Sequence, residues 1–210
     1  MDSTEDHLLV YSDYVCPFCY LGRVSLSTYR ESRDGDLAIE WHPFDLRSRK
    51  RGPDGEIDHS ADDGKDEAYF DQVRENVERL RKEYGTDDML GIDEVPDVDS
   101  LPAQVASASV QREHPDSWLD FDWRIFEALW IEGRDIGDVD VLADCATAVG
   151  ISADEIRDAV GDEDRRERIF EQFGDAHDRG VTGVPTFVYD GHSARGAVPP
   201  GQLKRLVEGT

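Results

Sequence analysis

The sequence predicts an α/β protein in which a βαβ unit and a ββα unit build a central mixed sheet, with a large all-helical insertion between them. The apolar run Leu8–Tyr11, a helical pattern and the alternating segment Leu37–Phe44 follow one another, which indicates a βαβ unit with parallel strands. A strand, a turn, a strand and a helix close the chain, and helical periodicity fills the middle. We therefore expect a discontinuous sheet domain of residues 1–60 and 180–210, and a helical insertion domain of residues 61–179.

The first helix is expected to run from Pro17 to about Ser32. Proline suits the first turn of a helix, because the N–H that it lacks has no intrahelical partner there. Apolar residues recur at helical spacing after it, and the sequence Asp34-Gly35-Asp36 is typical of a helix end. This helix therefore connects the two parallel strands.

The insertion is expected to be a series of helices, each indicated by apolar residues at helical spacing. They are Glu67–Tyr84, Leu101–Arg112, a helix carrying Trp118 to Trp130, a helix carrying Val141 to Val149 and capped by Asp138, a short helix to about Val160, and Asp162–Asp178. Ser152 and Glu155 match a capping box for the short helix. The aromatic face of the third helix has two interpretations, core packing or an apolar groove for extended substrate. Cys145 lies on an apolar helix face, which indicates a buried, unreactive thiol.

Turn residues in the C-terminal segment indicate where its two strands and its helix lie. Thr186–Tyr189 is expected to be a strand, and Asp190-Gly191 is a typical two-residue hairpin turn. Ser193–Ala197 is its expected antiparallel partner, and the last helix is expected to start at Pro199.

The charge of the chain limits its partners. Acidic residues number 48 and basic residues 23, so the formal net charge is −25. Such a chain repels phosphates and anionic headgroups, which argues against nucleic acid and against a membrane surface as partners. Lysine occurs only at positions 50, 65, 82 and 204, and an acidic, lysine-poor surface is typical of proteins from salt-accumulating halophiles.

We expect molar salt to stabilise the protein, because screening weakens the repulsion among its excess negative charges. Thermal unfolding in about 0.1 M and about 2 M KCl measures this, and the melting temperature should rise with salt. An unchanged melting temperature across that range would contradict the halophilic interpretation.

The sequence also predicts where the protein works. Residues 1–6 lack the positive and apolar segments of a secretory signal, and no apolar run is long enough to span a membrane. We therefore expect a cytoplasmic protein. In that reducing compartment, a pair of nearby cysteines is more often catalytic than structural.

Two cysteines with two residues between them, Cys16 and Cys19, stand where the first strand meets the first helix. Free backbone N–H groups and the helix dipole favour a thiolate there, which makes a reactive cysteine. A zinc site commonly needs a second cysteine pair, and the chain has only Cys145 besides these two. A purely structural disulfide would close a very small loop and stabilise little. Redox chemistry is the favoured interpretation, with metal binding and a structural bridge as alternatives.

A second candidate segment surrounds Val184 and Pro185. It reads as a loop that leads into the strand Thr186–Tyr189, with a proline just before the strand. A cis Val184–Pro185 bond packed against the thiols would give this proline a role. On the local sequence alone, however, the trans form is favoured, because only about 5% of X–Pro bonds in folded proteins are cis.

Together, the Cys-Pro-Phe-Cys and Gly-Val-Pro-Thr-Phe segments resemble the thioredoxin superfamily, in which this proline is cis and faces the cysteine pair. The long helical middle and the segment from Phe126 to Ile136 resemble more specifically the DsbA-like group with a helical insertion, in its FrnE branch. The resemblance covers nearly the full chain. It implies a thioredoxin-like fold and thiol–disulfide exchange.

The resemblance implies a role for each site residue. Cys16 is the expected nucleophile, and Cys19 is the expected resolving cysteine, less exposed and with a higher pKa. Pro17 and Phe18 tune the redox potential and contact substrate. The most oxidising relatives carry histidine where this chain has Phe18, so we expect a weaker oxidant, an isomerase or a reductase.

Three further residues complete the expected site. Val184 and Pro185 form the substrate-facing loop, where the backbone before the cis proline pairs with an extended substrate. Asp13 is a candidate proton relay to Cys19, and its alternative role is to cap the active-site helix.

Three function classes remain open at the level of sequence. The first is a protein thiol–disulfide oxidoreductase that needs no bound cofactor or metal, with thiol- or disulfide-containing proteins or small thiols as partners and glutathione as a candidate co-substrate. The second is a glutathione-dependent isomerase or transferase of the 2-hydroxychromene-2-carboxylate isomerase or kappa class, which usually has serine in place of the first cysteine. The third is a binding protein or metal chaperone. Either a monomer or a homodimer is compatible with the sequence.

Overall fold

A computed structural model describes residues 7–209 of the chain, so residues 1–6, which bear on the expected absence of a signal segment, lie outside it. The strands are β1 (His7–Ser12), β2 (Ala38–Pro43), β3 (Thr186–Tyr189) and β4 (His192–Arg195). The helices are α1 (Pro17–Ser32), α2 (Glu67–Tyr84), α3 (Leu101–Glu113), α4 (Pro115–Trp130), α5 (Val139–Ala148), α6 (Ala153–Val160), α7 (Glu163–Asp178) and α8 (Pro200–Glu208), with a 3₁₀ turn at Ser48–Lys50.

The strands form one mixed sheet in the order β2-β1-β3-β4. β1 is parallel to β2 and antiparallel to β3, so that Val10 pairs with Trp41 on one side and with Phe187 on the other. Asp190 and Gly191 both have positive φ, as a type I′ hairpin turn requires. The βαβ and ββα units predicted from the sequence are therefore confirmed, and α2 to α7 lie between them along the chain.

Side chains set several helix boundaries. Asp66, Asp138 and Asp162 each accept a hydrogen bond from a backbone N–H in the first turn of α2, α5 and α7. The capping box predicted at Ser152 is wrong: its side chain makes no capping bond, and Glu155 instead contacts the His114 ring at 2.8 Å. A long-range polar contact has replaced the local one.

Several other boundaries differ from the prediction by a few residues, and two of them have a clear local cause. α4 begins at Pro115, directly after α3, so the proline that ends one helix occupies the first turn of the next. β4 ends at Arg195 rather than at residue 197, because Gly196 turns the chain with a φ of 83°. Both differences shift one end of an element by a few residues, and the helix and the strand themselves are present as predicted.

The largest hydrophobic core joins the sheet unit to the insertion. Trp118, Phe121, Phe126 and Trp130 of α4 are all buried and belong to the same cluster as Trp41 of β2. The aromatic face of α4 is thus core, not an open groove. Among residues 7–209, no helix is both long and apolar enough to cross a membrane.

Candidate active site

The two paired cysteines lie at the start of α1, as predicted. Cys16 is the residue before the helix, and Pro17 occupies its first turn. The Cys16 N–H donates to the Asp13 carbonyl at 3.1 Å, and the Cys16 carbonyl accepts from the Cys19 N–H at 3.0 Å. Both sulfurs are free thiols. Backbone bonds therefore hold the dithiol in a tight turn between β1 and α1.

Both thiols are covered by the surrounding protein. Cys16 is 3% exposed and Cys19 is 2% exposed, so the predicted contrast in exposure is too small to separate them. Burial raises the pKa of Cys19 well above its usual value, and the neighbouring Cys16 adds to this rise. The Ser12 side chain and the Asp13 backbone oppose it through hydrogen bonds. Cys19 is thus held as a neutral thiol at neutral pH.

The loop from the other end of the chain closes over Cys16. The Val184–Pro185 bond is cis, which confirms the expectation from the family resemblance and overrides the trans preference of the local sequence. The Cys16 Sγ lies 3.6 Å from the Val184 carbonyl oxygen, to which it donates. The Pro185 carbonyl accepts from the Gly196 N–H at 2.8 Å, which ties the loop to the end of β4.

Pro17 and Phe18 are half-buried beside the thiols. The Phe18 ring packs against the main core and offers no donor to a thiolate. Together with Cys16, Cys19, Val184 and Pro185, Pro17 and Phe18 form the cluster that the sequence predicted for the exchange site. Their roles in exchange and substrate binding stay predictions.

Gly22 is a site residue that the motifs did not reveal. A Cβ atom at this position would lie 2.9 Å from Pro185 Cγ and 3.3 Å from the Phe187 ring. Only glycine therefore lets α1 approach the cis-proline loop this closely. The available signal was a glycine inside a helical pattern, which often marks close packing.

We expect Gly22→Ala to destabilise the protein by about 1–3 kcal/mol, because the added methyl group overpacks the contact with Pro185. Urea unfolding of the variant measures this cost. Gly174→Ala, on α7, is the matched control, since a Cβ there meets nothing within 4 Å. Equal stability of wild type and Gly22→Ala would contradict the close packing.

Asp13 is completely buried, and its carboxylate accepts hydrogen bonds from two backbone N–H groups. Oδ1 accepts from Val15 at 3.3 Å, and Oδ2 accepts from Leu46 at 2.9 Å. It does not cap α1, because the residue at the cap position is Cys16 and no side chain bonds there. The Asp13 carboxylate joins the active-site turn to the segment after β2. The contact of Asp13 with Cys19 is a backbone hydrogen bond and does not involve the carboxylate.

Burial raises the pKa of Asp13 from 3.8 to about 6, against the lowering effect of its hydrogen bonds. The folded state therefore binds the proton more tightly than the unfolded state. It follows that the Asp13 contribution to stability is largest at acidic pH and is lost as pH rises from about 4 to about 6. The loss should reach roughly 3 kcal/mol.

The difference in unfolding free energy between wild type and Asp13→Asn isolates this effect from the other carboxylates. We expect that difference to become less favourable to the wild type as pH rises from 4.5 to 7. Urea titrations at several pH values measure it. A difference that stays constant across this range would contradict the raised pKa of Asp13.

A buried polar network behind the dithiol was not predicted. Arg23 Nε donates to Asp122 Oδ2 at 2.7 Å, and the Tyr14 hydroxyl donates to Asp122 Oδ1 at 3.0 Å. Trp130 Nε1 donates to the Tyr14 carbonyl at 2.8 Å. The sequence signal was Asp122 itself, a lone acid four residues from Trp118 on an otherwise apolar helix face.

The third cysteine, Cys145, lies in the insertion, away from the exchange site. Cys145 is fully buried in α5, which confirms the prediction of a buried thiol, and burial raises the pKa of this thiol to about 11. Across residues 7–209, no group of three or more His, Cys, Asp or Glu side chains is arranged to hold a metal ion.

Comparison with known proteins places this geometry in a family. A family model described as a DSBA-like thioredoxin domain matches residues 7–208. The uncharacterized protein YwbO of Bacillus subtilis is 27% identical over 187 residues, which cover 87% of this chain and 86% of YwbO.

Two solved structures share the fold at lower identity. 2-Hydroxychromene-2-carboxylate isomerase superposes with a TM-score of 0.73 at 20% identity, over 97% of this chain and 93% of that chain. The cytosolic disulfide reductase DsbM of Pseudomonas aeruginosa, in a structure with GSH, superposes with a TM-score of 0.61 at 19% identity, over 96% and 93%. With the family model spanning nearly all of its length, this chain belongs to the DSBA-like thioredoxin domain family.

Proposed function

We infer that this protein is a thiol–disulfide oxidoreductase of the DsbA type, in its FrnE-like branch, which exchanges disulfides through Cys16 and Cys19. The main support for this inference is the position of the Cys16 sulfur beside the Val184 carbonyl. The Cys16 sulfur stands at the start of α1, 3.6 Å from the carbonyl of Val184, and the next peptide bond is cis. That arrangement puts a nucleophile beside a backbone segment to which an extended substrate can pair.

Exchange proceeds in two displacement steps. In the reductive direction, the Cys16 thiolate attacks one sulfur of a substrate disulfide, and the other substrate sulfur leaves as a thiolate. Cys19 then loses its proton and attacks Cys16. A Cys16–Cys19 disulfide forms, the bond from Cys16 to the substrate breaks, and the second substrate thiol is released. The oxidative direction is the reverse.

Phe18 sets the direction of this chemistry in our proposal. Its half-buried ring brings neither positive charge nor a hydrogen-bond donor to the Cys16 sulfur. A less stabilised thiolate makes the reduced form less favoured, so the disulfide is a weaker oxidant. We therefore propose reductase or isomerase activity, with proteins or small thiols as substrates and no tightly bound cofactor.

Glutathione is the proposed small-thiol partner. The fold is similar to that of DsbM, a disulfide reductase whose structure was determined with GSH and which is described as cytosolic. We propose the same compartment for this protein, where glutathione would return the Cys16–Cys19 disulfide to the dithiol. A monomer or a homodimer would serve equally for this chemistry.

A second candidate function is a glutathione-dependent isomerase or transferase. It is favoured by one observation, the fold similarity to 2-hydroxychromene-2-carboxylate isomerase. Such an enzyme needs no resolving thiol, whereas this chain holds Cys19 in the first turn of α1, three residues after Cys16. The two functions therefore differ in their dependence on Cys19.

Glutathione-coupled reduction of a peptide disulfide tests the proposal. The wild type should catalyse repeated turnover, and Cys19→Ser should lose most of the turnover, because a one-cysteine enzyme stalls as a mixed disulfide. Phe18→His should make the disulfide more oxidising. Full activity in Cys19→Ser would contradict the dithiol mechanism and favour the isomerase class.

A further inference from the structure

A small cavity lies behind Cys19, where α1, the sheet and α4 meet. Its volume is about 20 Å³, which is enough for one water molecule. Most of its wall is apolar. The side chains with polar or ionisable atoms that line it are Ser12, Cys19, Arg23, Trp41, Asp122 and Trp118, whose Nε1 donates to Ser107.

Two buried donors in this wall lack an acceptor among the described residues. Arg23 is 9% exposed; its Nε and Nη2 donate to Asp122 and to the Leu119 carbonyl, but its Nη1 has no partner within residues 7–209. Trp41 is 5% exposed, and its Nε1 is likewise unpaired within that range. Buried donors nearly always have a partner, and a bridging water is a common one.

We propose that this cavity holds one water molecule that links the Cys19 thiol to the Arg23–Asp122 pair, and that Asp122 takes the proton which Cys19 loses as it resolves a mixed disulfide. This inference rests on the proposed function. It assigns to the helical insertion, through α4, a part in the redox chemistry of the sheet unit.

The proton and electron movements balance within the step. The proton passes from Cys19 Sγ to the water, and the water gives a proton to the Asp122 carboxylate. The Cys19 thiolate attacks Cys16 Sγ, the Cys16–Cys19 bond forms, and the bond from Cys16 to the substrate sulfur breaks. The substrate sulfur leaves as a thiolate with the electron pair of the broken bond, which completes the two-electron oxidation of the dithiol.

The surroundings of Asp122 fit this role. Its two oxygens accept from Tyr14 and Arg23, and a carboxylate has lone pairs left for a water. Burial raises the pKa of Asp122, which strengthens it as a base, while Arg23 acts in the opposite direction. Asp122 acts on Cys19 through the water and is therefore a positioning residue.

Release of a chromogenic thiol separates the two chemical steps. Reduced protein, in a Cys145→Ser background, is mixed with dithionitrobenzoate in a stopped-flow instrument. Attack by Cys16 releases the first thionitrobenzoate, and resolution by Cys19 releases the second. We expect Asp122→Asn to slow the second release by roughly tenfold to 100-fold, with the first release within about twofold of wild type.

The pH profile distinguishes proton transfer from a structural effect. In Asp122→Asn, the second release should depend on hydroxide and accelerate steadily with pH, whereas the wild-type rate should level off at lower pH. Asp120→Asn, an exposed neighbour on α4, is the matched control and should leave both releases unchanged.

Val10→Ile keeps the proposal testable if Asp122→Asn fails to fold. Val10 lines the cavity, and one added methylene displaces the water without changing a polar group. We expect it to slow the second release by roughly tenfold or more. An unchanged second release in Val10→Ile would overturn the water link, as would wild-type kinetics in folded Asp122→Asn. A wild type that releases only one equivalent would instead overturn the dithiol function itself.

Discussion

Replacing Cys16 with serine is expected to reduce thiol–disulfide exchange by roughly 1,000-fold or more, because the hydroxyl of serine cannot act as the thiolate nucleophile. Cys16 directly precedes α1, and its sulfur donates to the Val184 carbonyl in the proposed substrate loop. Reduction of a peptide disulfide at a fixed glutathione concentration measures the loss.

Cys19→Ser should give a different defect from Cys16→Ser. Cys16 can still attack, but nothing resolves the intermediate, so a mixed disulfide with the substrate should accumulate and be visible by mass. Cys145→Ser is the matched control, because the buried Cys145 thiol should contribute nothing. Equal activities for the Cys16 and Cys145 variants would contradict the assigned nucleophile.

Replacing Trp130 with alanine is expected to lower the free energy of unfolding by about 3–5 kcal/mol. The side chain is 2% exposed in the main core, and its Nε1 donates to the carbonyl of Tyr14, two residues before Cys16. The change therefore opens a cavity and also releases the active-site turn. Urea unfolding and the rate of exchange should both show the defect.

Two further variants separate these contributions. Trp130→Phe keeps an aromatic ring but leaves the Tyr14 carbonyl without its donor, which should cost about 1–3 kcal/mol. Trp123→Ala removes the same side chain from a half-buried position on α4, where it stacks on Tyr20, and should cost less than Trp130→Ala. Equal losses at Trp123 and Trp130 would contradict the anchoring role of Trp130.

The parts of the fold that the sequence predicts are those with local signals. Apolar periodicity located α2 and the other insertion helices, and the Asp190-Gly191 turn located the C-terminal hairpin. The Cys-Pro-Phe-Cys segment and the cis proline were found through motifs with distinct residue types. Ser152 shows the limit of local rules, because a contact between Glu155 and His114, the residue between α3 and α4, replaced its capping box.

The rest of the site depends on packing between distant parts of the chain. Asp122 and Arg23 are 99 residues apart, and no local rule pairs a buried acid with a buried base. Gly22 matters only because Pro185 lies against it. The near-equal burial of Cys16 and Cys19 likewise follows from the loop that closes over them, whose position is set by the sheet order.

An equilibrium redox titration of the Cys16–Cys19 pair tests the central claim most directly. The Cys145→Ser protein is equilibrated in glutathione buffers of graded potential at high salt, and free thiols are alkylated and counted by mass. We predict one reversible two-electron transition, at a potential more reducing than that of strongly oxidising DsbA proteins. If the two thiols never pair, or are protected only when a metal is bound, the dithiol account is contradicted.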